Sequence, residues 1–392
     1  MAAPSPRWPL AAVLIVASAP VGAVDWSVSG FFSQRIEATS NSGLDGEGGV
    51  VGAISDLGMA FRLATPTTQW TLAPGVRGAL YTGPGDDGSL DDFGFRFNGS
   101  VAHQAPRSST TASFSVIPDS TTFSDFDSGG NSRNRNTTQI TYSANMGYTY
   151  NINEINSLSL SAFGRKRDFT EQSADLEPSL SFGGGATWRR ELDPATAGSL
   201  GFTVTRFTAD SLEDPESLSY EVRAGLDRQL SPRATLGGTL GVALVDSERN
   251  RVRPGGTVRE DDLSPSFVGD LTLSYAAAPD TRYTFGLSQS IDQNTDGTVE
   301  SRASVSAGVQ HSINRRSRAG LTGRLGFNNP VFDDGGDTSD QITLSVQPAY
   351  FYALTPNWDA SLGYALRVED ANGVETSHQV FFQISRGLSF LP

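Results

Sequence analysis

The stretch QITLSVQPAYFYALTPNWDASLGYALRV, residues 341–368, reads as two extended segments joined by a tight turn. In the first segment Ile342, Leu344, Val346, Tyr350, Tyr352 and Leu354 share one parity. Gln341, Thr343, Ser345 and Gln347 share the other. Thr355-Pro356-Asn357 turns the chain, and Trp358, Ala360, Leu362, Tyr364, Leu366 and Val368 then oppose Asp359, Ser361, Gly363 and Arg367. A period of two marks an extended strand with an apolar face and a polar face. Each segment has about 12 residues, against a usual ~5–6 for a soluble strand and the ~9–11 that cross a bilayer at a tilt.

Working outward, most of the chain repeats this hairpin at a spacing of roughly 40 residues. Eighteen such segments can be read, from 25–38 to 378–390. The connections alternate in kind. Short turns carry Pro66, Pro106, Pro194, Pro232, Pro279 and Pro356. Proline presets a turn and cannot donate to a central ladder. The intervening connections are longer, and most are rich in Asp, Glu and Gly, among them 40–49, 83–91, 118–136, 168–177, 210–216 and 246–262. Strands that all cross one membrane must end in two kinds of connection, long external loops and short periplasmic turns. The expected fold is therefore all-β: a single transmembrane antiparallel up-and-down β-barrel of about 18 strands, with 16–18 compatible, and both chain ends on the short-turn side. A soluble sandwich, β-helix or fibre has shorter strands and no reason to confine acidic residues to alternate connections.

Composition agrees. The 392 residues include no cysteine, carry 29 Lys+Arg against 43 Asp+Glu, and are 37% hydrophobic, as suits strands apolar at every second position. No shift in composition divides the chain into domains. The acidic balance argues against nucleic acid as a partner. Residues 1–23 have the form of a secretory signal: Arg7 in a basic n-region, an apolar core over 8–17, and small residues Val21-Gly22-Ala23 at the cleavage position. The expected organisation is a signal peptide, 1–23, and a barrel, 24–392.

If the apolar parity faces lipid, the polar parity faces the lumen. The residues so placed are Asp56, Arg62, Arg77, Arg96, Glu221, Arg223, Asp227, Asp270, Arg282, Glu300, Arg302, Arg324 and Arg367. Rings of charge tune what passes through a pore; the same groups also fit cross-strand pairing that holds the barrel's shape. Nearly all the positive charge is arginine, Lys166 being the sole lysine, and guanidinium pairs bidentately with carboxylate. Trp26, Trp70, Trp188, Trp358 and Phe390 fall near strand ends, where aromatic girdles lie. The third long connection, 118–136, carries Asp119, Asp125, Asp127, Arg133 and Arg135, which suit either a constriction or a solvated surface loop. Acidic groups at 86–87, 210–216 and 333–337 match no defined calcium loop, and no metal or cofactor is expected. Three histidines, His103, His311 and His378, have no Ser and Asp arranged about them as a hydrolytic triad needs, so no enzyme is expected.

Taken together, the chain resembles a Gram-negative outer-membrane β-barrel of porin type, and more weakly the barrels that accompany surface-polysaccharide systems. The last strand keeps the alternating beat at Ile384, Leu388 and Phe390, while Arg386 interrupts it and Leu391-Pro392 follow the aromatic. The resemblance implies outer-membrane localisation, lipid and lipopolysaccharide as surroundings, insertion by the barrel-assembly machinery, and an inward-folded third loop. It implies passive diffusion of small polar solutes, with a structural or export-partner barrel for polysaccharide secretion as the alternative. It sets neither the solute nor the oligomeric state.

Overall fold

The computed structural model describes residues 24–40, 49–82, 90–120, 138–170, 178–210, 215–253, 256–293, 299–330, 341–370 and 373–391. They form eighteen strands: β1 (Asp25–Thr39), β2 (Val50–Ala64), β3 (Thr68–Thr82), β4 (Leu90–Ala105), β5 (Ser108–Ser120), β6 (Thr138–Asn151), β7 (Asn156–Phe169), β8 (Ser179–Asp193) and β9 (Thr196–Ala209), followed by β10 (Glu216–Ser231), β11 (Ala234–Arg253), β12 (Gly256–Ala278), β13 (Thr281–Gln293), β14 (Val299–Ser312), β15 (Ser317–Pro330), β16 (Gln341–Thr355), β17 (Trp358–Asp370) and β18 (Val374–Leu391). Each strand pairs antiparallel with its neighbours in sequence, and β1 also pairs with β18, from Thr39↔Gln379 down to Val28↔Leu391. The sheet thus closes on itself as an 18-strand meander, as the alternation of connections predicts.

The short turns close by local acceptors. Asn153 Oδ1 accepts from the Ile155 and Asn156 amides, and Asn314 Oδ1 accepts in the same way from Arg316 and Ser317. Asp193 Oδ1 accepts from the Ala195 amide at 2.8 Å, and Ser231 Oγ from the Arg233 amide at 3.2 Å. Such side chains satisfy backbone groups that a two-residue reversal leaves unpaired.

Two loop expectations need correction. The segment 246–262 is largely ladder: β11 and β12 pair continuously from Asp246↔Leu263 to Arg253↔Gly256. Only Val252 and Val258 interrupt the polar residues there, so no apolar alternation marks the segment, but ladder pairing rests on backbone groups that charged side chains leave free to bond. Pro118 and Asp119 likewise belong to β5, opposite Ile140 and Gln139, so the third long connection begins later than expected.

The register places the two parities on opposite faces all round the ring. The outer face carries large apolar side chains that stand bare, such as Trp26 (56% exposed), Leu57 (57%) and Leu240 (62%). So broad an apolar belt marks a lipid surface. Most of the buried apolar groups lie on the inner wall. Val50, Ile54, Ala79 and Tyr81 form one buried cluster there, near the long-loop ends of β2 and β3. Strand parity alone predicts a uniformly polar inner wall, and this patch is an exception to it.

Gly241, opposite Arg223 in the β10–β11 ladder, shows how tightly the wall is built. A Cβ there would lie 2.1 Å from the Val222 carbonyl oxygen and 2.9 Å from Arg223 Cα. Gly387, by contrast, has no atom within 4 Å of such a Cβ. We expect Gly241→Ala to destabilise the barrel by about 1–3 kcal/mol and Gly387→Ala to leave it unchanged, read as midpoints of urea unfolding in micelles.

Candidate functional site: the charged inner wall

The ladder puts every charged residue of the polar parity on the inner face and joins most of them in pairs. On β2–β4, Asp56 stands opposite Arg77 and receives Arg96 as well. Arg96 Nη1 donates to Asp56 Oδ1 at 2.8 Å, and Arg77 Nε lies 3.9 Å from the same oxygen. One carboxylate is thus shared by two guanidiniums. The Arg96 guanidinium carbon also sits 4.6 Å from the centre of the Phe31 ring. That ring lies over Gly58, where a Cβ would be 2.3 Å from it. Nearer the short turns Arg62 donates to Gln69 Oε1 at 2.8 Å.

On β10–β12 the arrangement is inverted. Arg223 pairs with Glu221 two residues before it and lies 3.5 Å from Asp270 on β12. Thr239 donates to Asp270. One guanidinium is here shared by two carboxylates. Asp227 accepts from Arg189 of β8. In an 18-strand ring β3 and β12 are half a circuit apart. An arginine-rich wall therefore faces a carboxylate-rich one, both near mid-strand.

The remaining charges follow the same parity. Arg302 of β14 lies 3.4 Å from Glu300 and 4.0 Å from Asp292 of β13. Arg282 stands opposite Gln310, and Arg324 between Ser306 and Ser345. At the long-loop end of β17, Arg367 Nη2 donates to Glu369 at 2.8 Å, and both are buried. Gln341 also donates to Glu369. Across the β1–β18 seam, Thr39 Oγ1 lies 3.0 Å from Ser377 Oγ, and Gln379 donates to Glu37 at 3.3 Å. Glu37 pairs in turn with Arg35 at 2.6 Å.

Arg35, Glu37, Arg189, Asp292 and Glu369 are members of this wall that the sequence reading passed over. A signal for several of them was present. Arg35 and Glu37, Glu221 and Arg223, Glu300 and Arg302, and Arg367 and Glu369 are each opposite charges two residues apart. In a strand, residues i and i+2 share a face.

Of the constriction candidates, Asp119 lies in β5, and Asp125, Asp127, Arg133 and Arg135 fall outside the described residues. The girdle candidates Trp26, Trp70, Trp188, Trp358 and Phe390 all stand on the outer face, at the end with the short turns. Arg386 faces outward too, with its guanidinium carbon 5.1 Å from the Trp358 ring centre. The apparent break in the last strand's alternation is thus a cation placed over an outward-facing indole. His103 and His311 meet Thr68 and Thr281 on the outer short-turn rim, and His378 meets Tyr364 at the far end.

No protein-family model matches the sequence, and no curated protein does. Among solved structures, OccAB1 of Acinetobacter baumannii is similar at 12% identity, covering 93% of this chain and 97% of that one with a TM-score of 0.52. A BenF-like porin from Pseudomonas fluorescens Pf-5 is similar at 12% identity, with 93% and 99% covered and a TM-score of 0.51. OccK2 (OpdF) of Pseudomonas aeruginosa gives 12%, 94%, 99% and 0.51 in the same order. At such identity the likeness is one of fold: the chain is a closed 18-strand antiparallel β-barrel, and those structures are similar to it over nearly their whole length.

Breaking a buried ion pair by removing one partner leaves an uncompensated charge, at about 3–5 kcal/mol. We expect Arg367→Ala to lower barrel stability by that order and the double change Arg367→Ala, Glu369→Ala by clearly less. Urea unfolding of the two variants in micelles checks the inequality.

Proposed function

We propose that this chain is an outer-membrane channel through which small polar solutes diffuse passively. The observation that carries the reading is the pair of opposed inner walls, with two arginines about Asp56 and two carboxylates about Arg223. An 18-strand barrel is wide enough to hold an aqueous lumen. Charge of both signs across it suits solutes that are small, polar and dipolar or singly charged, and imposes weak ion selectivity. The structures it resembles include one described as a porin.

In this reading residues 1–23 are a secretory signal, and the barrel is inserted through its terminal strand, where Phe390 faces outward and packs over Gly30. The external loops face the lipopolysaccharide leaflet. Asp119, with Asp125, Asp127, Arg133 and Arg135, would then belong to the external mouth. Solute passage needs no catalytic group or cofactor.

Purified protein in planar bilayers is expected to give reproducible open steps. Changing Arg77, Arg96 and Arg324 together to Gln shifts the reversal potential toward cation selectivity, and changing Asp227 and Asp270 to Asn shifts it toward anions. A folded barrel that stays silent contradicts the channel. Open steps whose selectivity ignores both sets of changes contradict the assignment of those side chains to the conduction path.

A further inference from the structure

The inner wall absorbs most of the described ion pairs, but a second population of arginines lies outside it. Arg190, Arg228 and Arg386 project from the outer face of β8, β10 and β18, close to the short turns. Arg107, Arg233, Arg315 and Arg316 ride on the turns themselves. All of them are exposed, and none lies within ion-pair distance of a described carboxylate, although Arg228 is close enough to Asp193 to interact with it electrostatically. Arg233 reaches only the Ala277 carbonyl oxygen, at 3.4 Å, and Arg386 only the Trp358 ring. The carboxylates on the turns and outer rim at this end are Glu154, Asp193 and Asp280, fewer than the guanidiniums. Asp193 accepts from the Ala195 amide and lies near Arg228, and Asp280 accepts from Thr281. Asp25, Glu191 and Asp359 stand at the same end on the inner parity.

The opposite outer rim behaves differently. There Lys166 pairs with Asp168 and Arg206 with Glu216, each within 2.8 Å, and Asp246 and Asp370 add further negative charge. Among the described residues the outer surface is therefore polarised, basic at the short-turn end and acidic at the other.

Depth gives the basic rim its meaning. Indole rings settle at the boundary between hydrocarbon and headgroups, and Trp26, Trp70, Trp188 and Trp358 mark that boundary at the short-turn end. Arg190 is two residues beyond Trp188 on the same face, roughly 6–7 Å further toward the turns at the rise of a strand. Arg228 stands opposite Thr196, which follows the Asp193–Thr196 reversal, so it lies at the same end as Arg190 or slightly beyond it. These guanidiniums are held at phosphate depth, with donors unspent, on the side that carries the periplasmic turns.

We propose that this rim recruits anionic phospholipid from the periplasmic leaflet, taking phosphate-bearing headgroups of net negative charge such as phosphatidylglycerol in preference to zwitterionic ones. Guanidinium forms forked, charge-assisted bonds to phosphate oxygens, and a juxtamembrane basic residue adds measurably to attraction for an acidic leaflet. The recruited lipid supplies the counter-charge that the protein supplies for itself on the inner wall.

The belt tryptophans provide the readout. The full barrel is reconstituted in phosphatidylethanolamine vesicles holding brominated phosphatidylglycerol or, at the same mole fraction, brominated phosphatidylethanolamine. We expect the anionic lipid to quench tryptophan fluorescence about twofold more effectively, and the preference to fade as salt screens the rim. The variant Arg190→Gln, Arg228→Gln, Arg386→Gln should quench equally with both lipids while keeping the heat-modifiable gel mobility of a folded barrel. Should it fail to fold, the turn-only variant Arg233→Gln, Arg315→Gln, Arg316→Gln should reduce the preference part-way. Equal quenching by the two lipids in the unaltered protein, or an undiminished preference in a folded variant, would overturn the proposal. Neither result bears on conductance, so the channel reading stands or falls separately.

Discussion

In hydrocarbon there is no water for the backbone to turn to, and each unpaired N–H or C=O costs several kcal/mol. A sheet survives there only by leaving no edge. The β1–β18 pairing is what satisfies this constraint, since it converts a linear meander of hairpins into a ring. Its ladder slips once, between Val28 and Ser29, close to the chain termini. At the opposite end of the seam the inner wall adds side-chain bonds, Thr39 to Ser377 and Gln379 to Glu37. The one contact that chain connectivity does not enforce is thus bonded by backbone along its length and by buried polar side chains at its far end.

Closure dictates the distribution of everything else. Once the ring exists, one parity of each strand meets lipid and the other meets the lumen, and apolar side chains stand outside. A chain only 37% hydrophobic can do this because every second residue suffices. The charges turned inward cannot spread freely, since the wall around them offers few alternatives to one another. They pair along a strand, as at Arg367 and Glu369, or across strands, as at Arg96 and Asp56. The surplus differs from wall to wall, guanidinium around Asp56 and carboxylate around Arg223, and that residual asymmetry is the charge the inner wall presents.

Much of this was legible from residue order. The alternation in 341–368 gave both strands of β16–β17, and the spacing of Pro66, Pro106, Pro194, Pro232, Pro279 and Pro356 against long acidic connections gave the ring of eighteen. The misses have physical reasons. Charge made 246–262 look like a loop, although pairing there depends on backbone bonds that charge does not forbid. Val50 and Tyr81 sit on the lumen parity yet pack together, because a wall that curves inward can bury apolar groups on itself. Arg35 and Glu37 fall on the polar parity of the first strand, where their i, i+2 spacing puts opposite charges on one face. The basic outer rim was invisible until register showed that Arg190, Arg228 and Arg386 leave the barrel on its lipid side.

The account stands on one orientation, apolar side chains to lipid and polar ones to water inside the ring. The chain has no cysteine, so single cysteines report on it cleanly. Leu344 and Ser345 are adjacent in β16 and face opposite ways, Leu344 beside Leu325 and Val368, Ser345 beside Arg324 and Arg367. Leu344→Cys and Ser345→Cys, folded into vesicles, are to be exposed to a charged, membrane-impermeant maleimide. The orientation described here requires that Ser345→Cys reacts while Leu344→Cys is protected until the barrel is unfolded. Labelling of Leu344→Cys with protection of Ser345→Cys would contradict it.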